Sequence, residues 1–130
     1  MKRFMRIAAA GILAAGILGG AAPHAFARGG DDVVTEGACS GTSDWTLKLS
    51  PEDSRLEVEF EVDQNVVGDT WKVVLKDNGT VFFRGQAVTK GPSGSFEVRR
   101  LTTDQAGTDN VVALARNLRT GETCQGSGSI

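Results

Sequence analysis

Leu56, Glu57, Val58, Glu59, Phe60, Glu61 and Val62 alternate apolar and acidic side chains without interruption. A period of two is the signature of a β-strand with one face buried and one in water, so the leucine, valines and phenylalanine point to a core and the glutamates to solvent. The preceding stretch repeats the pattern, Trp45, Leu47 and Leu49 alternating with Thr46 and Lys48 before the turn cluster Ser50 to Ser54. A four-residue loop, Pro51 to Ser54, predicts the pairs Leu49/Leu56, Leu47/Val58 and Trp45/Phe60 on one face. A second hairpin is expected at Trp71 to Lys76, where a three-residue loop, Asp77 to Gly79, with a bulge at Gly79 sets Leu75 against Val81 and Val73 against Phe83. Phe96 to Leu101, Val111 to Ala115 and Thr123 to Ile130 supply the remaining strands. The run Val111 to Ala115 is apolar on both faces, which predicts an interior strand or one covered on its second side. About seven short strands, each followed by turn chemistry and with no helical period, predict an all-β antiparallel sandwich.

The start of the chain reads differently. Lys2, Arg3 and Arg6 precede an apolar stretch from Ile7 to about Ala22, followed by Ala25-Phe26-Ala27. This is the pattern of a signal peptide, residues 1–27, with cleavage expected after Ala27 and a secreted, extracellular product. Cleavage removes three of the 14 basic residues and none of the 16 acidic ones, taking the net charge from −2 to −5. An acidic chain with interspersed signs is ill suited to nucleic acid or an anionic membrane surface. Residues 28–38 read as a flexible lead-in and 39–130 as a single domain. Cys39 and Cys124, in an oxidising compartment, are expected to form one disulfide fastening the first strand to the last.

The run Val111-x-Ala113-x-Ala115-x-Asn117 followed by Gly121 is similar to the penultimate strand and turn of immunoglobulin-like domains. It departs from them where Val111 and Ala113 replace the usual tyrosine and cysteine, so neither the tyrosine corner nor the inter-sheet disulfide is expected. Cys39, Ser50 to Asp53, Glu57 to Val62, Ser93 to Leu101 and Gly121 to Cys124 together resemble small exported proteins of actinomycete-type bacteria without an assigned activity. That resemblance implies export and an immunoglobulin-like sandwich, and carries no functional residues with it.

The sole histidine, His24, lies before the expected cleavage site. Without imidazole the mature chain cannot assemble Ser-His-Asp or Cys-His catalysis, most zinc sites or copper centres. The densest carboxylate group, Glu57, Glu59 and Glu61, lies on a sheet face, where a glycosidase-like cleft is not expected. No Gly-rich loop with a lysine precedes a helix, and Trp45 and Trp71 fall in register with core positions. Arg99 and Arg100 read as partners for the glutamate row. No enzyme activity, catalytic residue, metal or cofactor is expected.

The reading that remains is a non-catalytic, monomeric extracellular module that binds a protein or glycan, or serves a structural interaction. An inhibitor of a secreted hydrolase and a small-molecule carrier are the alternatives. Contacts are expected on the loops, at Asn65, Val66, Val67, Lys90, Pro92, Gln105 and Asp109.

Overall fold

The computed structural model describes residues 24–28 and 32–130, and the basic and apolar segments of the expected signal peptide lie outside the described residues. Nine strands follow in order: β1 (His24–Arg28), β2 (Asp32–Ala38), β3 (Asp44–Glu52), β4 (Arg55–Asp63), β5 (Thr70–Asp77), β6 (Thr80–Val88), β7 (Ser95–Thr103), β8 (Asn110–Asn117) and β9 (Thr123–Ser129). They form two antiparallel sheets, ordered β1-β2-β3-β4-β7 and β9-β8-β5-β6. The all-β sandwich expected from the alternation is therefore the observed architecture. Strand β1 contains the Ala25-Phe26-Ala27 stretch and pairs along the outer edge of β2.

The core lies between the sheets and is filled by the positions that the period of two selects. Leu56, Val58, Phe60 and Val62 of β4 are all buried, facing Trp71, Val73, Leu75, Val111 and Ala113 of the other sheet. Phe96 of β7 bridges the layers, its ring centroid 6.4 Å from that of Phe60 and 5.8 Å from that of Trp71. Both tryptophans are buried, as their register implied.

Three local expectations are corrected. The lead-in is not loose along its whole length, because Asp32–Ala38 is strand β2. Its β-branched residues alternate so that Val33 packs on the core and buried Thr35 donates through Oγ1 to the Ser127 carbonyl at 2.8 Å. The first hairpin turns on two residues, not four. Asp53 and Ser54 both take positive φ (47° and 70°), which brings Glu52 opposite Arg55 and moves the pairs to Leu49/Val58, Leu47/Phe60 and Trp45/Val62. The buried face is unchanged because the slip is by two residues. The second hairpin also turns on two residues, Asn78 and Gly79, again at positive φ. That turn would mix the faces were the ladder regular. A bulge between Leu75 and Lys76 passes over Phe82 and restores Leu75/Phe83 and Val73/Gly85 on the inner side.

Strand β8 is interior, flanked by β9 and β5. One long edge of the sandwich is closed where β9 meets β2 and β3. Cys39 and Cys124 are disulfide-bonded there, 85 residues apart. Beside them Trp45 lies against two bare backbones: a Cβ at Gly37 or Gly126 would come within 2.8 Å of its ring. Glu122 completes the closure, its carboxylate accepting from Gly41 N, Ser43 N and Ser43 Oγ at 2.8–2.9 Å.

Two outcomes follow from this seam. Replacing both cysteines by serine should lower the unfolding free energy by about 4 kcal/mol, because a loop of this length is released in the unfolded chain. Gly126→Val should cost about 1–3 kcal/mol by overpacking against Trp45. Urea unfolding followed by tryptophan fluorescence measures both.

Candidate functional site

The connections β2–β3, β4–β5, β6–β7 and β8–β9 emerge at one end of the sandwich, since Asp63 pairs with Asp44 and Ser95 while Thr70 pairs with Val88. Asn65, Val66, Val67, Lys90 and Pro92, expected as contact residues, are brought together here. The β4–β5 loop is tied at both ends: Gln64 N and Asn65 N donate to the Gly94 carbonyl at 3.0 Å, and Gly68 N donates to the Thr89 carbonyl at 2.8 Å. Gly94 is required for this, because a Cβ there would fall 2.4 Å from the backbone nitrogen of Val66.

Beneath the loops sits a buried polar network. Asp69 accepts from Arg119 Nε at 2.8 Å and Nη2 at 2.7 Å, from Gln64 Nε2 at 2.7 Å and from Asn117 Nδ2 at 3.0 Å. Gln64 in turn accepts from Trp71 Nε1 at 3.1 Å, and Asn117 Oδ1 accepts from Arg119 N and Thr120 N. The guanidinium fork and the two amide donors hold the Asp69 carboxyl well below the usual carboxylate range. An ionised carboxylate accepting four hydrogen bonds is a poor general base, and its task here is to hold the β4–β5 and β8–β9 connections and the end of β8 in one geometry.

Three large apolar side chains are exposed at this end, among polar neighbours that include Asn65, Lys90 and Thr120. Val66, Val67 and Leu118 are 42%, 59% and 47% exposed. A hollow of about 500 Å³ lies among these loops, lined by Val66, Arg119, Thr120, Ser40, Thr42 and Glu122. Exposed apolar side chains beside a hollow lined mostly by polar residues can dock a partner surface.

Gln105 and Asp109 belong to the opposite end, on the β7–β8 connection. Gln105 is exposed, but Asp109 is buried, which corrects its expected place among the contact residues. Its Oδ1 accepts from Gln105 N at 3.2 Å, and its carboxyl faces Asp77 and Asp104. Asp77 is the last inward residue of β5, only 3% exposed, and neither of its oxygens has a hydrogen-bond partner. Burial, with the Asp109 carboxyl beside it, raises Asp77 to about 7. A proton held on Asp77 supplies the donor that this pair otherwise lacks. No group of three or more His, Cys, Asp or Glu among the described residues is arranged to hold a metal ion.

Sequence reasoning marked the loops and passed over the network beneath them. One signal was present: Asn117 continues the inward parity of Val111, Ala113 and Ala115, and a polar residue at an inward position demands partners. No protein-family model matches the chain, and no curated protein is significantly similar to it.

The two ends have opposite pH dependence. Asp69, lowered by folding, contributes stability above the ordinary carboxylate value of 3.8 that is lost as pH falls. Asp77, raised by folding, keeps its proton while the unfolded chain has released it, so stability declines as pH rises from about 4 to 7. Urea midpoints should peak at about pH 4. Asp77→Asn should flatten the upper limb and gain about 2 kcal/mol at pH 7.5, whereas Asp69→Asn should depress the peak itself.

Proposed function

We propose that this is an exported, non-catalytic binding module that recognises a partner protein through the four-loop end of an immunoglobulin-like sandwich. The observation that carries the reading is the combination at that end: exposed Val66, Val67 and Leu118 presented on loops whose backbones are fixed by the Asp69 network. Ordering loops in advance removes part of the entropy cost of association. Exposed apolar side chains on an ordered backbone supply surface that a partner gains by burying. The signal-type N-terminus and the Cys39–Cys124 disulfide support an extracellular setting. The lack of any histidine beyond His24 supports a role without acid–base catalysis.

A second reading, an inhibitor of a secreted hydrolase, is favoured by one feature. The segment from Asn65 to Gly68 is exposed and pinned at both ends, as a loop that enters an active site and resists rearrangement must be.

The test compares proteins captured by the immobilised chain and by its Val66→Asp/Val67→Asp variant from the surface and medium of the producing cells. Loss of two anchors should weaken the specific partner about 30-fold or more, equivalent to about 2 kcal/mol, with the melting temperature unchanged. Identical capture by both proteins would refute the site. Titration of secreted proteases and amylases separates the readings, since only an inhibitor lowers turnover and only the parent chain should do so.

A further inference from the structure

The outward faces of the two sheets carry opposite charge. On the four-stranded sheet the side chains alternating with the core include Lys72, Lys76, Arg84 and Arg116, and no acidic residue among the described positions of β5, β6, β8 and β9 points the same way. None of these four cations takes part in the ion pairs found among the described residues. Lys72 and Arg116 stand directly opposite each other on β5 and β8. Like charges in that position oppose folding. A hollow of about 340 Å³ lies between them over Val74 and Leu114.

The five-stranded sheet is acidic on balance, although Lys48, Arg55 and Arg99 share its outward side. Its outward row holds Glu57, Glu59, Glu61 and Glu97, of which Glu57 and Glu59 share the single Arg99 at 3.7 Å and 3.4 Å. Glu61 and Glu97 are direct cross-strand partners of like charge. Burial and the nearby Glu59 and Glu61 push the Glu97 carboxyl above its ordinary value. Each face thus carries one like-charged cross-strand pair without an ion pair of its own among the described residues, of opposite sign and with the same separation of one inter-strand spacing, about 5 Å. Lys90 lies in the hollow beside Glu61 and Glu97.

We infer that the basic face of the four-stranded sheet docks the acidic face of a second copy of this chain, setting Lys72 and Arg116 against Glu61 and Glu97. The proposal goes beyond the loop-end reading and uses different surfaces. A linear polyanion would neutralise the cations and leave the repulsion between Glu61 and Glu97 in place. The second copy relieves both. Two different faces in contact make a heterologous interface, which repeats from copy to copy and yields open chains instead of closed dimers. Four strands of about seven residues present roughly 400 Å² on each side, below the roughly 800 Å² per partner of stable complexes. The association is accordingly weak, reversible and sensitive to salt.

Sedimentation equilibrium from about 10 µM to 1 mM at low ionic strength tests this. The weight-average mass should climb steadily with concentration and return to the monomer value at about 0.5 M salt. Lys72→Gln/Arg116→Gln and Glu61→Gln/Glu97→Gln each remove one face at exposed positions, and each alone should remain monomeric with a melting temperature no lower than the parent's, since each also removes a like-charged pair. Mixed, they should form one-to-one pairs and nothing larger, because each retains the face the other lacks. A parent that stays monomeric throughout, or a mixture that does not pair, would overturn the inference. Retention of the parent on immobilised polyphosphate, abolished by Lys72→Gln/Arg116→Gln while sedimentation shows no association, would assign the basic face to a polyanion instead.

Discussion

The architecture depends on how closely two backbones can approach the indole of Trp45. Gly37, its cross-strand neighbour on β2, and Gly126, facing it from the other sheet, leave no room for a side chain on either flank. That approach lets β9 lie against β2 and β3, which in turn puts Cys124 within bonding reach of Cys39 and Ser127 within reach of Thr35. An aromatic ring laid over glycine replaces the packing those glycines cannot provide. The disulfide is therefore a fastening on a contact already prepared by residues of no chemical reactivity.

At the loop end the same logic runs through polar groups. Burying Asp69 is tolerable only because four donors converge on it, and those donors come from the β4–β5 and β8–β9 connections and the end of β8. The satisfied carboxylate thus fixes the relative placement of segments remote in sequence. The far end works the other way, with Asp77 and Asp109 inside the fold and no cation between them. One end is held by charge complementarity, and the other is most stable while it holds a proton.

Much of this is legible in the sequence, and the reason is geometric. The unbroken alternation of Leu56 to Val62 determines which face is buried whatever the register, so the core was legible down to individual residues. Register was less so. A two-residue slip leaves the faces intact, and nothing in the Pro51 to Ser54 cluster distinguishes a wide loop from a tight one with Asp53 and Ser54 at positive φ. The bulge at Phe82 was invisible for a related reason: apolar residues at 81, 82 and 83 erase the alternation that would have marked it. Strand β2 is not legible because Asp32, Glu36 and Gly37, following Gly29 and Gly30, resemble a solvated lead-in, and only a partner strand reveals the role of Val33 and Thr35. The polar network lies furthest from sequence, since its members are spread from Gln64 to Arg119 and meet only after both sheets have formed.

The two long edges of the sandwich are finished unequally. Along β9 the layers are joined by a covalent bond, a glutamate clamp and the Thr35 hydrogen bond, whereas along β6 and β7 they meet through the short connection with its Lys90–Ser95 bridge at the loop end and through Arg100 resting 4.2 Å above the Phe83 ring. A body bound along one side and merely shut along the other behaves like a book on its spine. Its thermal breathing must be lopsided, with amide protons near Phe83 and Arg100 exchanging long before those beside Trp45, and with any transient parting of the pages beginning at the fore-edge.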